Sequence, residues 1–184
     1  PPAHAGAPPA ASAVLSALVV KGSFFLIFRL WFGALPALRT PAALQVLAAL
    51  GAAAILFGSA LALRQQRLKL LVAYSTVAQI GYLFLMFPLV GATPLTSSAW
   101  TGGVLQAVSH AFAKAAMFLA AGLLAKALGH DRIAGLVGVG RVLPMSIFAF
   151  GLGGLSLMGL PPSGGFVAKW LLLRASIETG QWWW

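Results

Sequence analysis

Long apolar runs separated by short polar gaps dominate this chain. A helix needs ~20 mostly apolar residues to cross a bilayer. Five stretches meet that pattern: 11–32, 41–63, 68–90, 99–127 and 142–177. The fourth is long enough to tilt or kink. The fifth is interrupted by Pro161-Pro162-Ser163-Gly164-Gly165, through which no regular helix continues. Its two parts read as one broken span. Pro36 and Pro41 bracket one connection, and Pro94 lies in another. The pattern predicts an all-α polytopic transmembrane bundle, a single transmembrane region over 1–184 with no soluble domain.

Composition agrees with that pattern. Of 184 residues, 60% are hydrophobic and 8% charged, against ~25% charged in an average soluble domain. Mean hydropathy is +0.95. Too few charges remain to clothe a soluble domain, so a cytosolic enzyme, a disordered tail and a nucleic-acid-binding domain are excluded as readings. The net charge of +10 does not restore the nucleic-acid reading, because the basic residues lie in gaps between apolar runs. Arg64, Arg67, Lys69, Lys126, Arg132 and Arg141 fall on the face of the N-terminal loop, and Arg29, Arg39 and Arg174 on or near the other. Six against three predicts a cytoplasmic N-terminal loop by the positive-inside rule.

Cysteine is absent, and His4, His110 and His130 are scattered, so no metal site or cofactor is expected. The acids are Asp131 in a connection and Glu178 near the end. No redox chemistry is expected of the chain itself. Residues 1–9 read as a loop, and Trp182-Trp183-Trp184 as an interfacial aromatic cluster. Together these ends read as a fragment of a longer membrane protein.

Ionisable groups inside spans are costly and mark ion paths by default. Lys21, Lys114 and Lys169 lie inside the predicted spans. Lys21 and Lys114 are too central to snorkel easily. Lys169 follows the Pro-Gly break and is expected in the first turn of a half-helix. Broken helices near the midplane mark ion sites in transporters. Gln106, His110 and Lys114 recur every four residues and share a helix face. A histidine there can donate and accept a proton. Ser75, Gln79 and Tyr82, with Tyr74 and Thr76 beside them, form a milder stripe on the third span, suited to interhelical hydrogen bonds or a hydrated path. Gly151, Gly153, Gly154 and Gly159 read as close-packing positions.

Four stretches resemble a known family. They are Pro2-Ala3-His4 through Ala7-Pro8 with Ser12-Ala13-Val14-Leu15-Ser16 and Val20-Lys21-Gly22; Arg67-Leu68-Lys69 through Gln79-Ile80-Gly81-Tyr82; His110-Ala111-Phe112-Ala113-Lys114 through Gly122; and Gly159-Leu160-Pro161-Pro162-Ser163-Gly164-Gly165 through Lys169-Trp170. Together they are similar to the antiporter-like, proton-conducting membrane subunits of respiratory complex I, Mrp-type cation/proton antiporters and membrane-bound hydrogenases. The resemblance implies an inverted-repeat bundle of about fourteen spans, of which this chain covers the end of the first repeat and most of the second. The family's intramembrane glutamate and an earlier broken helix would lie before Pro1.

By the same resemblance, Lys21 matches the mid-membrane lysine joining two half-channels. His110 and Lys114 match the central hydrophilic axis, and Lys169 the ionisable residue of the second broken helix. The function implied is proton, or coupled cation/proton, translocation within a larger complex. The partners implied are the lipid bilayer, other membrane subunits of a respiratory, hydrogenase or antiporter complex, and protons, Na+ or K+. The setting expected is a bacterial or archaeal cytoplasmic membrane. A structural scaffold subunit without transport is the alternative of another class, and a Na+ or K+/proton antiporter subunit the alternative within transport.

Overall fold

The structure is a computed structural model that describes residues 2–90 and 97–184. The connection holding Pro94 lies outside the described residues. A single helical turn, Ala3–Gly6, replaces part of the expected opening loop. Six longer helices follow: α1 (Pro9–Ala34), α2 (Pro41–Leu63), α3 (Leu68–Leu89), α4 (Ser98–Leu128), α5 (Pro144–Met158) and α6 (Gly164–Glu178). Helix α1 contains two π turns, Leu15–Val19 and Leu30–Ala34. Among the described residues there is no strand beyond one isolated bridge between Arg67 and Arg132, and α1 to α4 are each long and apolar enough to cross a membrane.

Sequence explains the helix ends. Pro41 and Pro144 open α2 and α5 at positions whose N–H would be unpaired anyway. Thr40, Ser97 and Ser163 accept a hydrogen bond from the first turns of α2, α4 and α6. Gly129 ends α4, and Gly159 (φ +82°) ends α5, in the left-handed region.

Helices α5 and α6 hold 15 residues each, roughly 22 Å of helix, too short to cross a ~30 Å hydrocarbon core alone. They stack end to end along α4, antiparallel to it. Gly153 of α5 faces Ala113 and Met117, Gly164 faces Ser109, and Ala168 and Leu172 of α6 face Gly102. The two short helices form one broken span, with the break beside the middle of α4.

In a membrane the lipid is as apolar as the side chains, so helix association rests on close packing of small residues. Helices α2 and α3 show it with backbone against backbone. A Cβ added at Gly51 would lie 2.7 Å from the Gly81 carbonyl oxygen, and one at Gly58 would lie 2.6 Å from the Ala78 nitrogen. Of the glycines expected to pack, Gly153 does so against Met117. Gly151 and Gly154 instead face open space, and Gly159 serves the left-handed helix end. The expectation does not hold there because these two glycines lie on other sides of α5 than the one Gly153 turns to α4.

Each end of the bundle is fastened differently. Near the N-terminal turn, Arg67 pairs with Asp131 at 3.1 Å, the Leu68 N–H donates to the Asp131 carbonyl at 2.8 Å, and Lys69 Nζ donates to the Ala7 carbonyl at 3.0 Å. At the opposite end an aromatic cluster joins α1 to α3 and α4. Phe24 lies 5.7 Å from Phe84 and 6.0 Å from Phe87, and Phe28 lies 4.9 Å from Trp100, between ring centroids. Leu56, Phe57, Phe112 and Phe148 point outward and are exposed.

Candidate functional site

The polar side chains inside the bundle form two hydrogen-bonded networks. The first joins α1, α3 and α4. Ser12 and Ser16 lie one turn apart on the inner face of α1 and are fully buried. Lys21, just past the first π turn, donates through Nζ to the Ser16 carbonyl. Ser16 Oγ meets Thr76 Oγ1 at 2.8 Å, and Thr76 Oγ1 donates to the Val72 carbonyl at 3.2 Å. Lys114 reaches the same carbonyl from α4 at 2.6 Å and also donates to Ser75 Oγ. Lys114 is wholly buried. Its donors are aimed at oxygens of α3, which is how a buried lysine is tolerated.

The second network joins α3, α4 and the broken span. Gln106 Nε2 donates to Gln79 Oε1 at 2.8 Å, and Gln79 Nε2 donates to the Leu157 carbonyl at 3.1 Å. Lys169 Nζ donates to the same Leu157 carbonyl at 2.6 Å and to the Met158 carbonyl at 3.3 Å. It also sits 4.8 Å from the centre of the Tyr82 ring, within cation–π range.

The helix break explains why these carbonyls are available. In a continuous helix, Leu157 and Met158 would accept from the N–H groups four residues on. Those residues are Pro161 and Pro162, which have no N–H. Two adjacent prolines therefore leave two adjacent carbonyls for Lys169 and Gln79. Gly164 and Gly165 let the second helix restart against Ser109 and Ser156, where a side chain would collide. Lys169 is the sixth residue of α6. It lies in the second turn and not the first, because Ser163 caps a helix that begins at Gly164. From there its side chain reaches back to the end of α5.

His110 stands between the networks, four residues from Gln106 and four from Lys114, and is 1% exposed. Neither ring nitrogen has a hydrogen-bond partner in the protein. Nearly all buried polar atoms are satisfied by protein or ordered water, so a buried histidine without a protein partner marks a place suited to water.

The structure thus brings Lys21, Ser75, Gln79, Tyr82, Gln106, His110, Lys114 and Lys169 to one interior zone. Sequence reasoning missed two kinds of participant. Ser16, whose hydroxyl meets Thr76 and whose carbonyl accepts from Lys21, was legible only as a serine one turn after Ser12 on the same helix face. The Val72 and Leu157 carbonyls leave no signal in side-chain identity, although the proline pair does point to Leu157.

His4 lies outside both networks. It stacks on Phe118 at 5.0 Å and, with Ser16 and Thr76, lines a pocket of about 450 Å³. Its Nδ1 has no protein partner. Burial holds its imidazole below the ordinary histidine value, and neighbouring positive charge adds to the effect. Among the described residues, no three of His, Cys, Asp and Glu gather as metal ligands would.

Comparison with known proteins shows the family of the chain. The profile described as NADH:quinone oxidoreductase/Mrp antiporter, transmembrane, matches residues 1–184. The NADH-quinone oxidoreductase subunit N of Desulforudis audaxviator is 36% identical over 99% of this chain and 36% of its own length. An F(420)H(2) dehydrogenase subunit N of Methanosarcina mazei is 31% identical over 100% of this chain and 38% of its own. Among solved structures, a chain of the Mrp complex of a Dietzia species superposes with a TM-score of 0.85 at 31% identity, over 95% of this chain and 31% of that one. A chain of the membrane-bound sulfane sulfur reductase, an archaeal respiratory membrane complex, superposes at 0.84 with 27% identity. The chain spans about a third of the length of these relatives. With its bundle, broken helix and whole-length match, the chain belongs to the NADH:quinone oxidoreductase/Mrp antiporter transmembrane family.

Proposed function

We propose that this chain forms the second half of a proton pathway in a membrane subunit of a larger complex. The observation that carries the reading is the row of ionisable groups across the bundle: Lys21 and Lys114 on one hydrogen-bonded network, Lys169 on the other, His110 between them. Lys114 hands a proton to His110 through water, and His110 hands one toward the Gln106–Gln79 end, where Lys169 receives it. Each lysine's charge biases its neighbour, because charge reaches further in a low dielectric. No bond other than N–H and O–H is made or broken in the chain. Energy comes from partner subunits, which in the relatives belong to quinone reductases, F(420)H(2) dehydrogenase, sulfane sulfur reductase and Mrp complexes.

The membrane is a bacterial or archaeal cytoplasmic membrane, with the N-terminal turn on the cytoplasmic side. The basic residues of that end support this orientation. The likeness to an Mrp complex favours a second reading, in which proton movement is coupled to Na+ or K+. The test is proton movement by the full complex in sealed vesicles, followed with a pH-sensitive dye, with and without Na+ and K+. Pumping that persists unchanged in Lys169→Ala overturns the pathway. Strict dependence on one alkali cation selects the antiporter reading.

A further inference from the structure

Helix α1 carries an extra residue beside Lys21. Its inner face is marked by the buried side chains of Ser12, Ser16, Phe24 and Phe28. Ser12 to Ser16 and Phe24 to Phe28 are steps of four, about one turn each. From Ser16 to Phe24 the step is eight, whereas two α-helical turns take about seven residues. The π turn Leu15–Val19 takes up the difference, because its hydrogen bonds reach back five residues and not four.

That turn changes the hydrogen bonding at one place. The Val20 N–H donates to the Leu15 carbonyl, five residues back. In a regular helix it would serve the Ser16 carbonyl. The Ser16 carbonyl instead accepts from Lys21 Nζ, whose side chain folds back along its own helix in the direction helical side chains lean. Lys169 is held in the same manner by other means. At the helix break, prolines withhold N–H groups from the Leu157 and Met158 carbonyls; in α1, a π turn directs the N–H to a neighbouring carbonyl. Ser16 also reaches α3. Its hydroxyl meets Thr76 Oγ1 at 2.8 Å, Thr76 Oγ1 donates to the Val72 carbonyl at 3.2 Å, and Lys114 Nζ donates to that same carbonyl at 2.6 Å. One residue therefore holds Lys21 by its backbone and the Lys114 network by its side chain.

We propose that the π turn Leu15–Val19 is a positioning element for Lys21, freeing the Ser16 carbonyl to hold the ammonium beside the Ser16–Thr76 contact, where its charge acts on Lys114. The proposal deepens the proton-pathway reading and rests on it. A change of charge on Lys21 alters its hold on Ser16, and Ser16 passes the change to Thr76 and to the carbonyl that Lys114 uses. A turn that served only to align the two halves of the inner face would be indifferent to the side chain at position 21.

The experiment uses the full-length protein in its complex. Deleting Leu18, which is exposed, removes the extra residue. The Val20 N–H then keeps the Leu15 carbonyl at the regular spacing of four, and the Lys21 backbone N–H takes the Ser16 carbonyl. Ser16 and Phe24 stay on one face, so assembly is expected. The thermal midpoint of the complex is measured for the parent, the deletion, Lys21→Met and the double variant, a cycle that isolates coupling. Lys21→Met leaves the Ser16 carbonyl without its donor, and the deletion supplies one. The deletion is therefore expected to raise the midpoint by a few degrees more in the Lys21→Met protein than in the parent, where it forfeits the lysine's bond. Equal effects in both overturn the proposal and leave the turn an alignment device. Dye-monitored proton uptake in sealed vesicles is the second readout. The deletion is expected to lower it on the order of 10²-fold, the scale on which a misplaced group acts. Parent-rate pumping in the deletion, with pumping lost in Lys21→Met, overturns the positioning role. Parent-rate pumping in Lys21→Met instead sinks the proton reading of Lys21, and the positioning role with it, whatever the midpoints show. If deletion of Leu18 prevents assembly, deletion of the exposed Val19 restores the same spacing and decides the matter. Failure of both to assemble overturns the proposal, since each keeps the bonding on either side of the turn.

Discussion

Gln79 and Lys169 converge on one acceptor, the Leu157 carbonyl, at 3.1 and 2.6 Å. One residue belongs to a continuous helix and the other to a broken one. The oxygen between them is available because Pro161 has no N–H to offer it. The hydrogen bonds of α3 are thereby continuous with the ionisable group of α6, so a change in the charge of Lys169 is felt at Gln79 and, through it, at Gln106.

Lys169→Ala in the full complex should reduce proton translocation on the order of 10²-fold, the scale on which removal of a positioned proton-transfer group acts. Assembly should be retained. Dye-monitored proton uptake in vesicles, alongside native gel mobility, checks both halves. Normal pumping would remove Lys169 from the path.

His110 separates function from stability. Because neither ring nitrogen bonds to the protein, His110→Phe breaks no protein hydrogen bond. It should leave the thermal midpoint of the complex within a few degrees of the parent and stop proton transfer. A structural histidine would behave in the opposite way, losing stability and keeping transport. The two readouts, taken on one preparation, distinguish these roles.

Gln79→Leu removes both the acceptor for Gln106 and a donor to Leu157. Leaving a buried amide unsatisfied costs about 1–3 kcal/mol, so the midpoint of thermal unfolding should fall. Transport should slow as well, since the connection between α4 and the broken span is lost. Gln79→Glu, which keeps an acceptor for Gln106, should recover part of the stability. An unshifted midpoint for Gln79→Leu would show that the amide pair carries no weight in the fold.

Gly58→Val tests the packing of α2 on α3. The added Cβ would sit 2.6 Å from the Ala78 backbone nitrogen, and backbone cannot move aside as a flexible side chain can. Overpacking typically costs about 1–3 kcal/mol. Lower yield of assembled complex is expected, whereas Gly154→Val, facing open space, should assemble normally. Equal yields would mean that the two helices are not held at this distance.

The fold was largely legible because the helices are apolar and punctuated by proline or glycine. Lys21, His110, Lys114 and Lys169 were legible for a related reason: a charge or imidazole in an apolar run has few explanations. The less visible parts are those in which the protein uses backbone. Val72 and Leu157 are unremarkable as side chains, and their carbonyls serve both networks. Ser16 stands out in the sequence only within its motif, because a serine in a helix more often bonds its own preceding turn. The turn of Lys169 was misjudged because the helix restarts at Gly164 and not nearer the lysine.

The glycine contact between α2 and α3 has a mechanical consequence. Two helices whose backbones touch at Gly51, Gly58 and Gly81 cannot slide or roll against each other without collision, so they behave as one stiff plate. Helix α2 contributes no ionisable side chain to either network. The plate is a fixed wall of the bundle, against which α1 with its two π turns and the broken span beside α4 are set.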